Sequence, residues 1–309
     1  MKNLRKSLII AVITSSLAIY GCGSKEAENK SAYYDNVKIY TEFQTQFTGE
    51  VRKLEGFENQ TYYSMGLWDN NSNYFHDTTV SLKENEEFSM FLALLNCMGE
   101  KYNYTVILFD NYQQIEFEVD GELMNQCTVC IENGDELYIP IKINSLVNGK
   151  HDLIFAVFVD TYKTLTDEER IYTGDHDGVL RYTAIGGNEN AVQHDNIQGL
   201  RVDTVSARTN GVVLNKMNGE EYAIEVGNLD EKPMNNVIIV LDNFMQVSIS
   251  DDNSLYECIL LNPGEEVIIP LEEYFQKIES DNTEHEITVI SISDIENSGK
   301  VFFSNRILK

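Results

Sequence analysis

Basic residues are scarce in this chain: 23 lysines and arginines stand against 50 aspartates and glutamates, giving a formal net charge of -27. A surface of that sign is repelled by nucleic acid and by anionic headgroups, which excludes both as main partners. Attraction to cations or to basic surfaces stays open. The signatures of nucleophilic, zinc-hydrolytic and nucleotide chemistry are missing as well: there is no Gly-x-Ser-x-Gly, no His-Glu-x-x-His and no phosphate loop. Carboxylates are too abundant for any two to stand out as an acid and base pair. Tryptophan occurs once, at Trp68, whereas 17 tyrosines and 14 phenylalanines supply core and cross-strand packing or an aromatic platform.

The amino terminus carries an address. Lys2, Arg5 and Lys6 precede an apolar run from Leu8 to Tyr20, which is shorter than the about 20 residues a membrane span needs and has the length of a signal peptide. Ile19-Tyr20-Gly21-Cys22 resembles the lipobox of bacterial lipoproteins, with Tyr20 standing where a small or aliphatic residue is usual. That resemblance implies cleavage before Cys22 and lipidation of its thiol, and hence a chain anchored on the extracytoplasmic face of the cell membrane. Removing the three basic residues of the signal takes the formal charge from -27 to -30. Residues 1–21 are then the signal peptide and residues 22–33 a polar tether.

The other cysteines are Cys97, Cys127, Cys130 and Cys258. Cys127 and Cys130 form a Cys-x-x-Cys inside a β-rich segment, where residues three apart face opposite ways and cannot share a tetrahedral metal. They read as small buried hydrophobes. An extracytoplasmic disulfide among the four stays open.

The remainder repeats itself. The segment "YTVILFDNYQQIEFEVDG" from Tyr104 is echoed by "NNVIIVLDNFMQVSISDD" from Asn235, so that Asp110-Asn111-Tyr112 matches Asp242-Asn243-Phe244. Downstream, Pro140 falls opposite Pro270, His151 opposite His285 and Asp160 opposite Asp294. The repeated core runs from about Val80 to Asp160 and again from about Val213 to Asp294, in one order throughout. Ile115, Phe117 and Val119 alternate with polar residues, as do Leu137, Ile139, Ile141 and Ile143, which predicts strands with one wet face. Val106 to Phe109 and Ile154 to Val159 predict interior strands covered on both faces. Proline within two of the strands predicts an edge or a bulge there. "VKIYTEFQTQF" from Val37 also reads as strand by its aromatic and β-branched content.

Each copy has a strand ending in Asn (Asn96, Asn228), an apolar strand to Asp (Val106 to Asp110, Val237 to Asp242), and a Gly-Glu-type turn (Gly134, Gly264). Each closes on a strand that bears a histidine (Gly149 to Asp160, His285 to Asp294). This order resembles bacterial immunoglobulin-like domains, the cell-adhesion-related CARDB domains in particular. The second copy has Thr283-Glu284 in place of the glycine before the histidine. The expected fold is all-β: immunoglobulin-like β-sandwiches over 34–165 and 178–309, joined by 166–177 with a capping box of Thr166 and Glu169.

Candidate chemistry is thin. Asp175, His176 and Asp177 lie on a Gly-flanked junction loop and have the donor types of a divalent cation site, calcium being the ion an acidic protein favours. The same residues also suit a plain turn. Asp69, Asn71 and Asn73 have calcium-loop spacing, but Tyr74 stands where such a loop needs glycine and Val80 where it needs glutamate, which leaves a surface turn. A lone histidine duplicated at a strand start reads as structural. No cofactor is implied. The chain is expected to be a non-enzymatic binding, adhesion or spacer module with an envelope protein or glycan as partner. The alternative is a hydrolase or transport-system accessory protein whose site is a carboxylate-lined cleft around Gly174 to Gly187.

Overall fold

The computed structural model describes residues 37–49, 62–76, 79–82, 87–144, 146, 149–163, 165, 169, 172–186, 199–217, 221–250, 253–278, 283–293 and 299–309. The lipobox, Cys22, the tether, Thr166 of the expected capping box and Asp294 lie outside the described residues.

The first repeat comprises β1 (Ile39–Tyr40), β2 (Tyr62–Trp68), β3 (Thr79–Leu82), β4 (Phe88–Cys97), β5 (Tyr102–Asp110) and β6 (Gln113–Ile115). It continues with β7 (Phe117–Val119), β8 (Glu122–Met124), β9 (Gln126–Ile131), β10 (Glu136–Ile143), β11 (Gly149–Val159) and β12 (Gly178–Gly186). The second repeat comprises β13 (Leu200–Arg201), β14 (Val205–Ser206), β15 (Gly211–Met217), β16 (Glu221–Gly227), β17 (Met234–Asp242) and β18 (Met245–Val247). It ends with β19 (Glu257–Leu261), β20 (Glu265–Pro270), β21 (Glu286–Ser293), β22 (Val301–Phe303) and β23 (Ile307–Leu308). Among the described residues two short helices, α1 (Thr173–His176) and α2 (Glu272–Ile278), interrupt the strands.

The sheet orders reproduce the repeat. In the first copy β1-β9-β5-β11-β12-β3 faces β2-β4-β10-β7-β8; in the second β13-β19-β17-β21-β22 faces β14-β20-β16-β15. Strands β1 and β13 each join their neighbour in parallel, and β4 and β16 are each flanked by a first-strand partner and a prolyl strand. These are two all-β sandwiches with immunoglobulin-like strand order. Small features recur too. Asn96 and Asn228 are fully buried, and each side-chain amide donates to two carbonyls, of Glu100 and Ile131 or of Lys232 and Leu261. Each Asn carbonyl accepts the amide of a left-handed glycine, Gly134 or Gly264.

The apolar runs are explained by parity. In β5, Tyr104, Val106 and Leu108 enter the first sandwich core, while Ile107 and Phe109 point the other way. In β11 the same division separates Leu153, Phe155 and Val157 from Ile154, Ala156 and Phe158. The second copy divides Ile238 and Val240 from Val237, Ile239 and Leu241 on β17. The outward sets meet each other: residues of β5, β11, β17 and β21 form one buried cluster between the sandwiches. The cover expected over these strands is therefore the other repeat.

Asp-Asn-aromatic sits at the centre of that contact. Asn111 and Tyr112, like Asn243 and Phe244, have consecutive positive φ angles of 50°, 69°, 51° and 62°, as a two-residue type I′ hairpin requires. The turns drive Tyr112 and Phe244 into the cluster between sandwiches. Gln114 and Gln246, the residues two places on, cross over reciprocally. Each backbone amide donates to the other's side-chain carbonyl at 2.6 Å, and each side-chain amide donates to the opposite turn, at Phe244 O and Tyr112 O. The two repeats thus meet about a local two-fold relation, as subunits of a symmetric dimer do.

Several expectations are corrected. Gly178–Gly186 was assigned to the second sandwich, but β12 pairs with β11 from Gly149↔Gly186 to Val157↔Gly178, so it completes the first sheet and the division falls after Gly186. Of the segment from Val37, only Ile39–Tyr40 is strand. Beyond it the amides of Gln44 and Thr45 donate to the Asp120 carboxylate instead of a ladder, and Phe47 stacks on Tyr138 at 3.9 Å. Helix α2 was not foreseen, although Leu271, Tyr274, Phe275 and Ile278 have helical spacing and all enter the second core. The prolines lie where their strands have one partner. Pro140 pairs with Phe91, while β7 reaches β10 only at Lys142, and Pro270 ends β20 beyond the pairing with β14.

Candidate functional site

In the first sandwich, beside its contact with the second, the β4–β5 turn, the end of β11 and the segment entering α1 enclose a cavity of about 250 Å³. Its walls carry Glu100, Tyr102, Asp160, Lys163, Glu169, Tyr172, Thr173 and His176, with Met98, Val159 and Leu165 as the apolar part. Asp160 follows β11 in the left-handed region at φ 57°, fixed by its amide donating to Asn103 O at 2.8 Å. Burial raises its carboxyl above the usual range, against the pull of Lys163. The Lys163 ammonium lies 3.2 Å from Asp160 Oδ2 and 4.0 Å from Glu100 Oε1, and 5.6 Å from the centroid of the Tyr102 ring. Burial and the Glu100 hydrogen bond push the Tyr102 phenol up to about 12. The arrangement holds a cation between two carboxylates and an aromatic face.

The wall behind this cavity belongs partly to the other sandwich. Arg306, from the carboxyl-terminal segment, is fully buried. It stacks over Phe158 and Phe244, and its Nη2 donates to Val159 O at 2.8 Å and Asp177 Oδ1 at 2.6 Å. Its backbone amide donates to Thr173 Oγ1, and Glu286 lies 3.7 Å from Nη1. Asp177 also accepts the Val159 amide at 2.8 Å. Its carboxyl is pushed up to about 6 because burial outweighs the guanidinium. At Gly174 a Cβ would stand 2.5 Å from the carbonyl oxygens of Phe303 and Ser304, so only glycine lets α1 approach β22 this closely.

The sequence-level cation site is corrected by this geometry. Asp177 turns inward to Arg306, whereas Asp175 and His176 are exposed, so the three do not converge. Among the described residues no group of three His, Cys, Asp or Glu side chains could hold a metal ion. Asp69 is consumed by its own turn, accepting the amides of Asn71 and Asn73 and the Asn73 side chain. His151 and His285 each direct Nδ1 at the aspartate of the hairpin motif, Asp110 at 2.8 Å and Asp242 at 2.6 Å. Tyr274 also donates to Asp242, at 2.5 Å. These duplicated pairs fasten the closing strand to the turn. Cys97, Cys127, Cys130 and Cys258 are free thiols. Cys127 is fully buried and pushed up to about 12, and Cys130 sits half-buried on the opposite face. The cleft shares Glu169, Tyr172, Thr173 and His176 with the expected connection 166–177, and only His176 with the region around Gly174 to Gly187, while Glu100, Tyr102, Asp160 and Lys163 lie upstream of both. The one signal for those residues was the repeat, which marked Asp160 opposite Asp294.

No family model and no curated protein matches this chain. Solved structures of low similarity do. The CARDB domain of the PF1109 protein of Pyrococcus furiosus, in complex with di-metal ions, is 12% identical over 43% of this chain and 100% of its own, at a TM-score of 0.26. A chain of the CsuC–CsuE chaperone–tip adhesion subunit complex of Acinetobacter baumannii is 9% identical over 78% and 98%, at 0.25. One from the SafA pilin–SafB chaperone complex of Salmonella enterica is 10% identical over 82% and 98%, at 0.25. Likeness at that level carries no argument about activity or partner. What defines the protein is its own architecture: an all-β pair of immunoglobulin-like sandwiches.

Proposed function

We propose that the chain is a non-enzymatic binding module of the bacterial cell envelope, tethered by lipid on Cys22 and presenting its junction cleft to a partner. The observation that carries this reading is the cleft on a locked body. Its walls are fixed by the Arg306 cluster and the cluster between the sandwiches, so the binding groups are held in place before a partner arrives. His151 and His285 serve structural pairs, His176 lines the cleft, and the cleft carboxylates Asp160 and Glu100 face Lys163, which suits holding charge more than moving protons. The surface charge favours partners that are basic or neutral.

Two measurements test the reading. Mass spectrometry of the mature chain is expected to find a lipidated Cys22 at the amino terminus, and Cys22→Ala to release the protein from membranes. An unmodified Cys22 removes the anchor. A photo-reactive side chain at exposed Tyr172 is expected to cross-link to one envelope component in cells; uniform failure to do so removes the binding role.

A further inference from the structure

The cleft already contains a cation, and the chain itself supplies it. Lys163 is only half-buried, at 46% side-chain exposure, yet its ammonium is directed at the more buried Asp160, with Glu100 and the Tyr102 ring on its other sides. Asp160 and Glu100 face this single lysine and Glu169 stands in the same cavity lining, so the cavity keeps negative sign with its own cation in place. That sign excludes an anionic ligand drawn in by Lys163. The volume, about 250 Å³, falls below the about 300–1,000 Å³ of small-molecule pockets and suits one long side chain with its stem along Met98, Val159 and Leu165. We infer that the cleft receives a lysine side chain of a partner polypeptide, whose ammonium takes the position between Asp160, Glu100 and Tyr102 that Lys163 occupies in the free protein. This rests on the binding-module reading and names the chemistry it would recognise. Lys163 is then an exchangeable occupant, and the apparent affinity is reduced by the fraction of molecules in which it is seated.

The test uses the full mature chain and N-acetyl-lysine N-methylamide as probe, followed by the NMR shifts of Tyr102 and Tyr172 and by calorimetry. Lys163→Met, which keeps the aliphatic stem and removes the charge, is expected to tighten binding by about 3–10-fold. Tyr102→Leu is expected to weaken it by about 2–5-fold, the size of a partly exposed cation–π contact. Lys163→Gln serves as a second charge-free variant, and an unchanged melting temperature certifies the fold of each. Weaker binding in both Lys163 variants would make the lysine a ligand-holding group and overturn the inference. Equal binding of 1,5-diaminopentane would assign the site to free diamines and overturn the polypeptide source. A probe that leaves the tyrosine shifts unmoved in every variant, while the Tyr172 cross-link still forms, overturns the ligand class and leaves the binding-module reading standing; loss of the cross-link too removes both.

Discussion

At the scale of single residues, the most consequential side chain is Arg306, whose guanidinium is fully enclosed with Asp177 and Glu286 beside it. Removing one partner of a buried pair leaves an uncompensated charge and costs about 3–5 kcal/mol. Arg306→Met is therefore expected to lower unfolding stability by about that much in urea titrations. Arg306→Met with Asp177→Asn should recover part of the loss, and strict additivity of the two changes would refute the coupling. The same aspartate gives the protein a pH signature. Burial lifts its carboxyl from the ordinary aspartate range to about 6 in the folded state, so the folded chain binds the proton more readily than the unfolded one. Stability from this group is full below about 4 and is lost as pH rises through about 6, on the order of 3 kcal/mol in total. Asp69, Asp120 and Glu265 are shifted the opposite way by hydrogen bonds from backbone amides, and they withdraw stability below about 4. Between these limits the urea midpoint should rise on acidification more steeply in the wild type than in Asp177→Asn, which retains the raised carboxyl of Asp160; parallel curves for the two proteins would refute the assignment.

At the scale of elements, the hairpins that carry Asp-Asn-aromatic do two jobs at once. Their type I′ geometry sets the register of β5 with β6 and of β17 with β18, and their aromatic residues and following glutamines bind the opposite repeat. Gln114→Ala and Gln246→Ala should each cost about 1–3 kcal/mol, because each strands a half-buried backbone amide. Their double mutant should cost about the sum, since every bond lost runs from a side chain to backbone and each change leaves the other's stranded amide in place. Single variants that unfold at the wild-type urea midpoint would show that the reciprocal bonds contribute nothing to the contact. This motif also marks what was legible. The strands, the repeat and the doubly covered runs follow from alternation and self-similarity, which depend only on local pattern. The identity of the cover could not be read, because Ile107 and Ile239 look like any buried strand residue until the two copies are docked. The edge of the first sandwich was misplaced for a related reason: "VLRYTAI" is a good strand in either sheet, and only the nine-residue register with β11 chooses. The cleft was illegible as a unit, since Glu100 comes from the β4–β5 turn and Asp160 and Lys163 from the turn after β11, and abundant carboxylates give no cue to which ones meet.

At the scale of the whole molecule, the parity of β17 separates two energies that are usually entangled. Ile238 and Ile239 are neighbours in sequence, both buried to within 1%, yet the first lies in the core of its own sandwich and the second in the cluster between sandwiches. Ile238→Ala opens a cavity inside one sandwich and is expected to cost about 2–5 kcal/mol. The unfolding trace should keep a single transition, because the contact that couples the halves is intact. Ile239→Asp instead places a carboxylate beside Val237 and Leu241 in the cluster with the apolar residues of β5 and β11. Separation of the sandwiches would hydrate that charge without dismantling either core. Calorimetry is expected to resolve two transitions in this variant, and small-angle scattering a larger radius of gyration at temperatures below both. The junction cleft should loosen with it, since Thr173 and Val159 are held by Arg306 from across the same contact. The Tyr102 and Tyr172 resonances would then broaden in Ile239→Asp and not in Ile238→Ala. A single transition and unaltered tyrosine signals in Ile239→Asp would mean that the sandwiches are joined by their connection alone, and the cleft would lose the rigid frame on which its role depends.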